Sequence, residues 1–476
     1  MSALHSGLLR RTRYPLAACI AAVFALSATE TFATTYLVTT CADGLPAPAG
    51  SLREAVMNLA SDHDLIDMST LPTAHSCSVI TLSAGEISVP QANLTLQGPS
   101  SGVTIAAKYS FSLDNSRILN HTGYGLLQTQ YLTISGGSIY STTHGEYGGC
   151  IVSKGNVSLF HSVVENCRVN AKNHPVAGGG VSTRGYLQLY DSKISHNLAG
   201  NVSSSQAYGG GADVGGSLYV FNSTISDNLA GSAGIGLGGG VHTRGFMNLA
   251  SSTISGNTAG KSFGGIYLKS TLNQFASVIH NSTISGNRAI TGIVGGMYSN
   301  LAIDLGNSTI AFNTAASGKR SYDHYDAPGL DVVSIQGTTV QVDLQSSLLS
   351  NNTYQGLRND FSEYNILGSS VGASGANNLI GTTTVTGNFG AMVGGCPLLG
   401  PLRDNGGPTQ THALLSHSPA IDQGNNTTND PDTGQPSQFD QRRTSFQRVN
   451  HGQADIGAYE VQQQDILFNT GFEGCP

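Results

Sequence analysis

A chain of 476 residues with 61 glycines, no tryptophan, 11% charged residues and a formal net charge of −7 is set apart from several protein classes. It is too apolar for a disordered polymer, too poor in charge for a helical protein, and too acidic to favour nucleic acid or an anionic membrane as partner. Abundant Gly, Ser, Thr and Asn among Val, Ile and Leu instead suit many short strands joined by turns.

Residues 1–33 read as a signal peptide: Arg10, Arg11 and Arg13 precede an apolar run at 16–26, and small residues follow up to Ala33. "LAAC" at 16–19 imitates a lipoprotein box, but the apolar run follows Cys19 rather than preceding it, which excludes that reading. No other stretch approaches the length needed to span a bilayer as a helix. Loss of the leader leaves 19 basic and 28 acidic residues, a net of −9. It also leaves six cysteines, an even number suited to disulfides outside the cytoplasm. Proximity favours Cys41–Cys77, Cys150–Cys167 and Cys396–Cys475 among the fifteen pairings that six thiols allow.

Residues 34–77 form an expected N-terminal cap. In "SLREAVMNLAS", Ser51 and Glu54 make a capping box, and Leu52, Ala55, Val56 and Leu59 share one helical side, so a short amphipathic helix is predicted over the first coil.

Residues 78–395 carry a repeat. Glycine pairs begin at Gly148, Gly179, Gly210, Gly239, Gly264 and Gly295, with a degenerate copy at Pro328. After each pair, apolar and polar residues alternate over three short runs, each with one face to bury. Such units bury those faces only by stacking on the next copy, so the predicted fold is all-β, a right-handed parallel β-helix. A Ser-x-Ile-Ser-x-Asn frame recurs, and its final residues, Asn197, Asn228, Asn257, Asn287, Asn313 and Asn352, are predicted to stack as a ladder at one corner. The frame is thus scaffolding, and the "NST" sequons at 222, 281 and 307 are by-products of it.

Function on such a scaffold belongs on outward columns of side chains. The first predicted column is Ile151, Ser182, Asp213, His242, Tyr267, Tyr298 and Asp331; the second is Ser153 (with Lys154 beside it), Arg184, Gly215, Arg244, Lys269, Asn300 and Val333. Coils stack about 4.8 Å apart, near the length of one sugar unit. Tyr267 and Tyr298 would stack on sugar rings, Arg184, Arg244 and Lys269 would hold uronate or sulfate, and Asp213 and His242 would share a proton. Asp213, His242, Arg184 and Arg244 are therefore the candidate catalytic residues, and with Tyr267, Lys269 and Tyr298 the candidate ligand-binding set. No acidic cluster makes a convincing calcium cage, so no cofactor is expected, with calcium as the one alternative. An insertion, "SGKRSYDHYDAP" at 317–328, gathers Asp323, His324 and Asp326, read as a polar loop tip.

Residues 396–460 are expected as a strand-poor C-terminal cap. Asp404, Asn405, Asp422, Asp440, Arg442, Asp455 and Glu460 are read as ties within it rather than as a catalytic cluster. The tail, 461–476, has neither a hydrophobic anchor nor the strands of a membrane barrel.

Both ends carry a resemblance. "CADGLPAPAGSLREAV" at 41–56 resembles the CSLREA region of predicted outer-membrane repeat proteins, with Gly50 in place of the motif's Cys. "PLLGPLRDNGGPTQTHALLSHSPAIDQG" at 397–424, "DQRR" at 440–443 and "DIGAYE" at 455–460 are similar to the choice-of-anchor Q domain, with Arg443 where that family has Gly. The final "GFEGCP" resembles tails of proteobacterial exported proteins. The resemblance implies an exported, bacterial, surface-associated β-helix protein with no settled activity. The expectation is a monomeric structural, adhesive or glycan-binding protein; the alternative is a polysaccharide lyase or glycoside hydrolase acting on an acidic polysaccharide.

Overall fold

The structure, a computed structural model, describes residues 34–465 apart from short stretches at 109–115, 201–203, 233–234, 271–274, 318, 322–323, 335–338, 366–368, 386, 432 and 464. The expected signal peptide, 1–33, and the tail beyond 465 therefore lie outside the described residues.

The chain is an all-β parallel solenoid. Three long sheets run its length: a leucine sheet of 12 strands, a Thr-Ile-Ser sheet of 12, and a glycine-led sheet of 10. One coil contributes one strand to each, as with Val181–Thr183, Leu187–Tyr190 and Lys193–Ser195. Each strand pairs in parallel, in register, with its counterpart one coil away. The inward residues Ile194, Ile225, Ile254, Ile284 and Ile310 stack on one another and are fully buried. Each withdraws an apolar side chain worth about 2–3 kcal/mol from water.

The asparagine ladder forms as predicted. Asn197 Nδ2 donates to Asn228 Oδ1 at 3.0 Å, and the contact repeats through Asn257, Asn287, Asn313 and Asn352. The left-handed backbone, however, belongs to the residue before each ladder member: His196, Asp227, Phe312 and Asn351 have φ of 56–60°, and Gly256 and Gly286 take the slot elsewhere. The same frame carries a second ladder, which its spacing alone does not reveal. The N–H of Ser192 donates to Ser223 Oγ, and the chain of contacts continues through Ser252, Ser282, Ser308 and Ser347.

Two further sheets were not anticipated. A nine-stranded one follows the ladder, with Ala199, Ala230 and Ala259 inward. A four-stranded one, Glu146–Tyr147, Pro175–Ala177, Gln206–Tyr208 and Gly236–Leu237, widens the coils between 146 and 237.

At the N-terminus, Ser51 Oγ accepts from the Glu54 N–H as predicted, but Glu54 answers to the N–H of Gly50. The helix Leu52–Glu54 widens into a π-turn over Ala55–Leu59. That wider turn swings Leu59 into solvent, whereas Leu52, Ala55 and Val56 are buried as expected. Buried Arg53 pairs with Asp43 at 2.7 Å. Thr35–Leu37 and Asp64–Asp67 already belong to the leucine sheet, so the coil starts inside the stretch expected as a cap. Cys41–Cys77 and Cys150–Cys167 are disulfides. Cys396 is also disulfide-bonded, and its expected partner Cys475 lies outside the described residues.

The C-terminal region was expected over the end of the solenoid. Its contacts instead run along the flank, on the outer face of the Thr-Ile-Ser sheet. Gln441 bridges Thr283 at 2.6 Å and Thr253 at 2.9 Å, Ala458 N–H donates to Thr309 Oγ1 at 3.0 Å, and Arg443 reaches Asn222 at 2.8 Å. The outward threonines of the repeated frame are the attachment points. Asn222, Asn281 and Asn307, the sequon residues, are buried beneath this strap.

Candidate functional site

The glycine-led sheet brings Ser182, Asp213, His242, Tyr267, Tyr298 and Asp331 into one column, each beside the next. The first member is Val152, not Ile151, because Cys150 takes the third slot of the Gly-Gly-Gly run and shifts the first coil by one. The same shift puts Lys154, not Ser153, at the head of the second column; Ile151 and Ser153 point inward and are buried. The glycines are needed because a Cβ on Gly179 would overlap the carbonyl oxygen of Gly210 in the next coil.

The first column does not face solvent. Asp213 is 4% exposed and His242 5%. The unanticipated four-stranded sheet and the 262–263 and 293–294 segments fold over it. His242 stacks between Tyr208, 5.1 Å away, and Tyr267, 4.8 Å away, and Tyr267 packs on Phe263 at 4.4 Å. Tyr267 is thus core rather than a sugar platform; Tyr298 is half-buried beside it, and Asp331 is fully buried and accepts from Ser362 Oγ at 2.7 Å. Asp213 and His242 do meet, with Oδ1 to Nδ1 at 2.7 Å, and the other carboxylate oxygen accepts from Arg244 Nη1 at 3.2 Å. Burial raises the Tyr208 hydroxyl above its ordinary range, with the Asp213 charge adding to the effect and Arg244 opposing it.

The second column is exposed where it is charged. Lys154, Arg184, Arg244 and Lys269 all reach solvent, and Arg244 leaves 47% of its side chain there. Beside them runs a row of rings at the corner between the glycine-led and leucine sheets. Tyr186 meets Tyr219 at 6.1 Å, Tyr219 meets Phe246 at 5.6 Å, and Phe246 meets Phe275 at 5.7 Å. At the upstream end, Lys154 Nζ lies 5.9 Å from the Tyr124 ring, which is 73% exposed. The signal was present in "TRGYL" at 183–187 and "TRGFM" at 243–247, where a cation and a ring are two residues apart.

Two-carboxylate chemistry finds no footing here. Asp213 is engaged by His242 and Arg244, and Asp331 lies four coils along, about 19 Å away. Among the described residues, no group of three or more His, Cys, Asp or Glu is placed to hold a metal ion. His324 sits in a hairpin with Lys319–Ser321, and Asp323 lies outside the described residues.

The charged residues of the strap are internal ties. Arg442 grips Asp440 at 2.8 Å between the rings of Phe446 and Tyr459, both under 4 Å from its guanidinium carbon. Arg448 pairs with Glu460 at 3.3 Å, and Asp455 accepts from the Asp422 and Val461 N–H groups. Burial pushes Glu460 up to about 8 against the pull of Arg448. Asp404 and Asn405 shape the turn before Thr411.

What the strand pairing defines is a class, the parallel β-solenoid. Among solved structures, the crystal structure of pectate lyase Pel9A is similar to this chain, with a TM-score of 0.41 and 12% identity over 90% of this chain and 96% of that one. No protein-family model matches the chain, and no curated protein matches it.

Proposed function

We propose that the protein is exported and binds an acidic polysaccharide along the stripe from Tyr124 to Phe275, without turning it over. The observation that carries this reading is the pairing of exposed cations with the row of rings from Tyr186 to Phe275, Tyr124 standing beside Lys154 at the upstream end, along one corner of the stacked coils. Rings offer faces to sugars, the guanidinium and ammonium groups offer charge to uronate or sulfate, and the coil spacing of about 4.8 Å keeps step with a glycan chain. Asp213 supports the site from below by holding Arg244. The disulfides fit an oxidising compartment, and the leader and the terminal motifs fit a surface-associated protein of the outer-membrane repeat type. No helix among the described residues is long and apolar enough to cross a membrane.

One observation favours a lyase as second reading: His242 held by a carboxylate beside Arg244 is a base next to a charge that could neutralise a uronate. Its burial between two rings argues against substrate contact.

The test is retention on immobilised polygalacturonate and other acidic glycans, with parallel assays for unsaturated and reducing ends. Binding without new ends supports the proposal. Undiminished binding by the triple variant Arg184→Ala, Arg244→Ala, Lys269→Ala would reject the stripe, and unsaturated ends lost in His242→Ala would favour the lyase.

A further inference from the structure

Between the strap and the Thr-Ile-Ser sheet lies a cleft of about 720 Å³. Its coil wall offers the hydroxyls of Thr224, Ser226 and Ser255 and, further along, the ring of Phe312, while the strap wall brings the apolar side chains of Leu399 and Leu402. Ser285 and His412 both line it. Ser285 Oγ is 2.7 Å from His412 Nε2, and His412 Nδ1 is 2.7 Å from the Gly400 carbonyl oxygen. A carbonyl oxygen can only accept, so Nδ1 carries the proton and Nε2 turns its lone pair to the serine hydroxyl, which donates. That is the bonding state of a serine next to its general base. Ser226 and Ser255 hold the same slot in preceding coils, and among the described residues no histidine bonds to either of them.

We propose that Ser285 and His412 form a nucleophile–base pair that hydrolyses short acyl esters of sugar hydroxyls in this cleft, the acyl group against the apolar wall and the sugar against the hydroxyl wall. In the first step Ser285 Oγ bonds to the ester carbonyl carbon and its proton passes to His412 Nε2. The carbon–oxygen bond to the sugar breaks, and the sugar hydroxyl leaves with that proton. Water then attacks the acyl-serine, one of its protons going to Nε2; the free acid departs, and the proton returns to Ser285. The Gly400 carbonyl dipole faces the imidazolium each time it forms. Burial depresses the imidazole to about 4, so it stays neutral and able to accept a proton across the neutral range.

The test uses the full mature chain with a fluorophosphonate probe, p-nitrophenyl acetate and an acetylated polysaccharide. The expected result is phosphonylation mapped to the peptide holding Ser285. Ester hydrolysis should be flat between about pH 5 and pH 8 and lost below a single midpoint near 4. Ser285→Ala and His412→Gln should each lose about a hundredfold or more, while Ser285→Cys keeps the packing and takes iodoacetamide at the new thiol. Probe on other residues or on none, or wild-type hydrolysis by Ser285→Ala, would overturn the proposal. Labelling of the wild type needs no variant, so a poorly folded mutant leaves the question decided. Binding at the Arg184–Lys269 stripe is a separate matter, since those side chains lie on another sheet.

Discussion

Asn257 Nδ2 and the Asn257 backbone N–H both donate to Asn287 Oδ1, each at 3.0 Å. Asn257 Oδ1 in turn accepts the same two bonds from Asn228. The ladder ends on Asp360, whose Oδ1 takes both donors of Asn352 at 2.8 Å. Every rung therefore satisfies its neighbour and is satisfied by the next.

Asn257→Ala would strip partners from two buried donors of Asn228 and leave a gap. Each orphaned group costs about 1–3 kcal/mol, so a loss of about 3 kcal/mol or more is expected. Urea unfolding measures it, and hydrogen exchange should show the loosening centred on coils 228–287 rather than spread over the chain.

Gln441→Ala should loosen the middle of the strap without unwinding the coils. It removes bonds to Thr283, Thr253 and Thr409 at once, worth about 2–3 kcal/mol together. Limited proteolysis should then cut within 397–461 while the coil strands keep their exchange protection.

His280 lies buried under the strap near Asp430 and Arg448, and burial lowers it to about 4, the nearby Asp430 opposing and Arg448 assisting. A depressed folded value means that its contribution is present above the unfolded value of 6.5 and is lost as the pH falls toward 4. Wild type should therefore lose stability relative to His280→Leu across that window, by up to about 3 kcal/mol. Denaturation midpoints of the two proteins at pH 7 and pH 4 measure this; a constant difference would contradict the burial of the imidazole.

Asp213→Asn leaves the stripe's cations in place but loosens Arg244. The half-exposed pair is a weak one in water, about 0–1 kcal/mol. Polysaccharide affinity should fall by about threefold, against about tenfold for Arg244→Ala, both measured by affinity electrophoresis, with added salt narrowing the gap.

The solenoid was legible because its period is written in recurring residues: inward Ile at 194, 225, 254 and 284, and ladder Asn three places on. The column register was legible from Ser182 onward for the same reason. Its exposure was not, because the short strands at 206–208 and 236–237 carry too few residues for any periodicity, yet they bury Asp213, His242 and Tyr267. The strap's position was equally hidden. Sequence shows that Thr253, Thr283 and Thr309 face outward but not that a segment about 150 residues later will bind them. The ring row does not show in the alternation along one strand, because Tyr186 and Phe246 sit past the strand's end, at the corner.

The strap also changes how the molecule comes apart. Stacked coils alone are joined in series, each to its two neighbours, and fray from whichever end is weakest. By touching Asn222, Thr253, Thr283, Thr309 and Ser346 at once, residues 397–461 wire the downstream coils in parallel, so that none of them opens alone. Upstream of Asn222 no such lashing is seen among the described residues, and fraying there should be gradual where the other half yields in a single event.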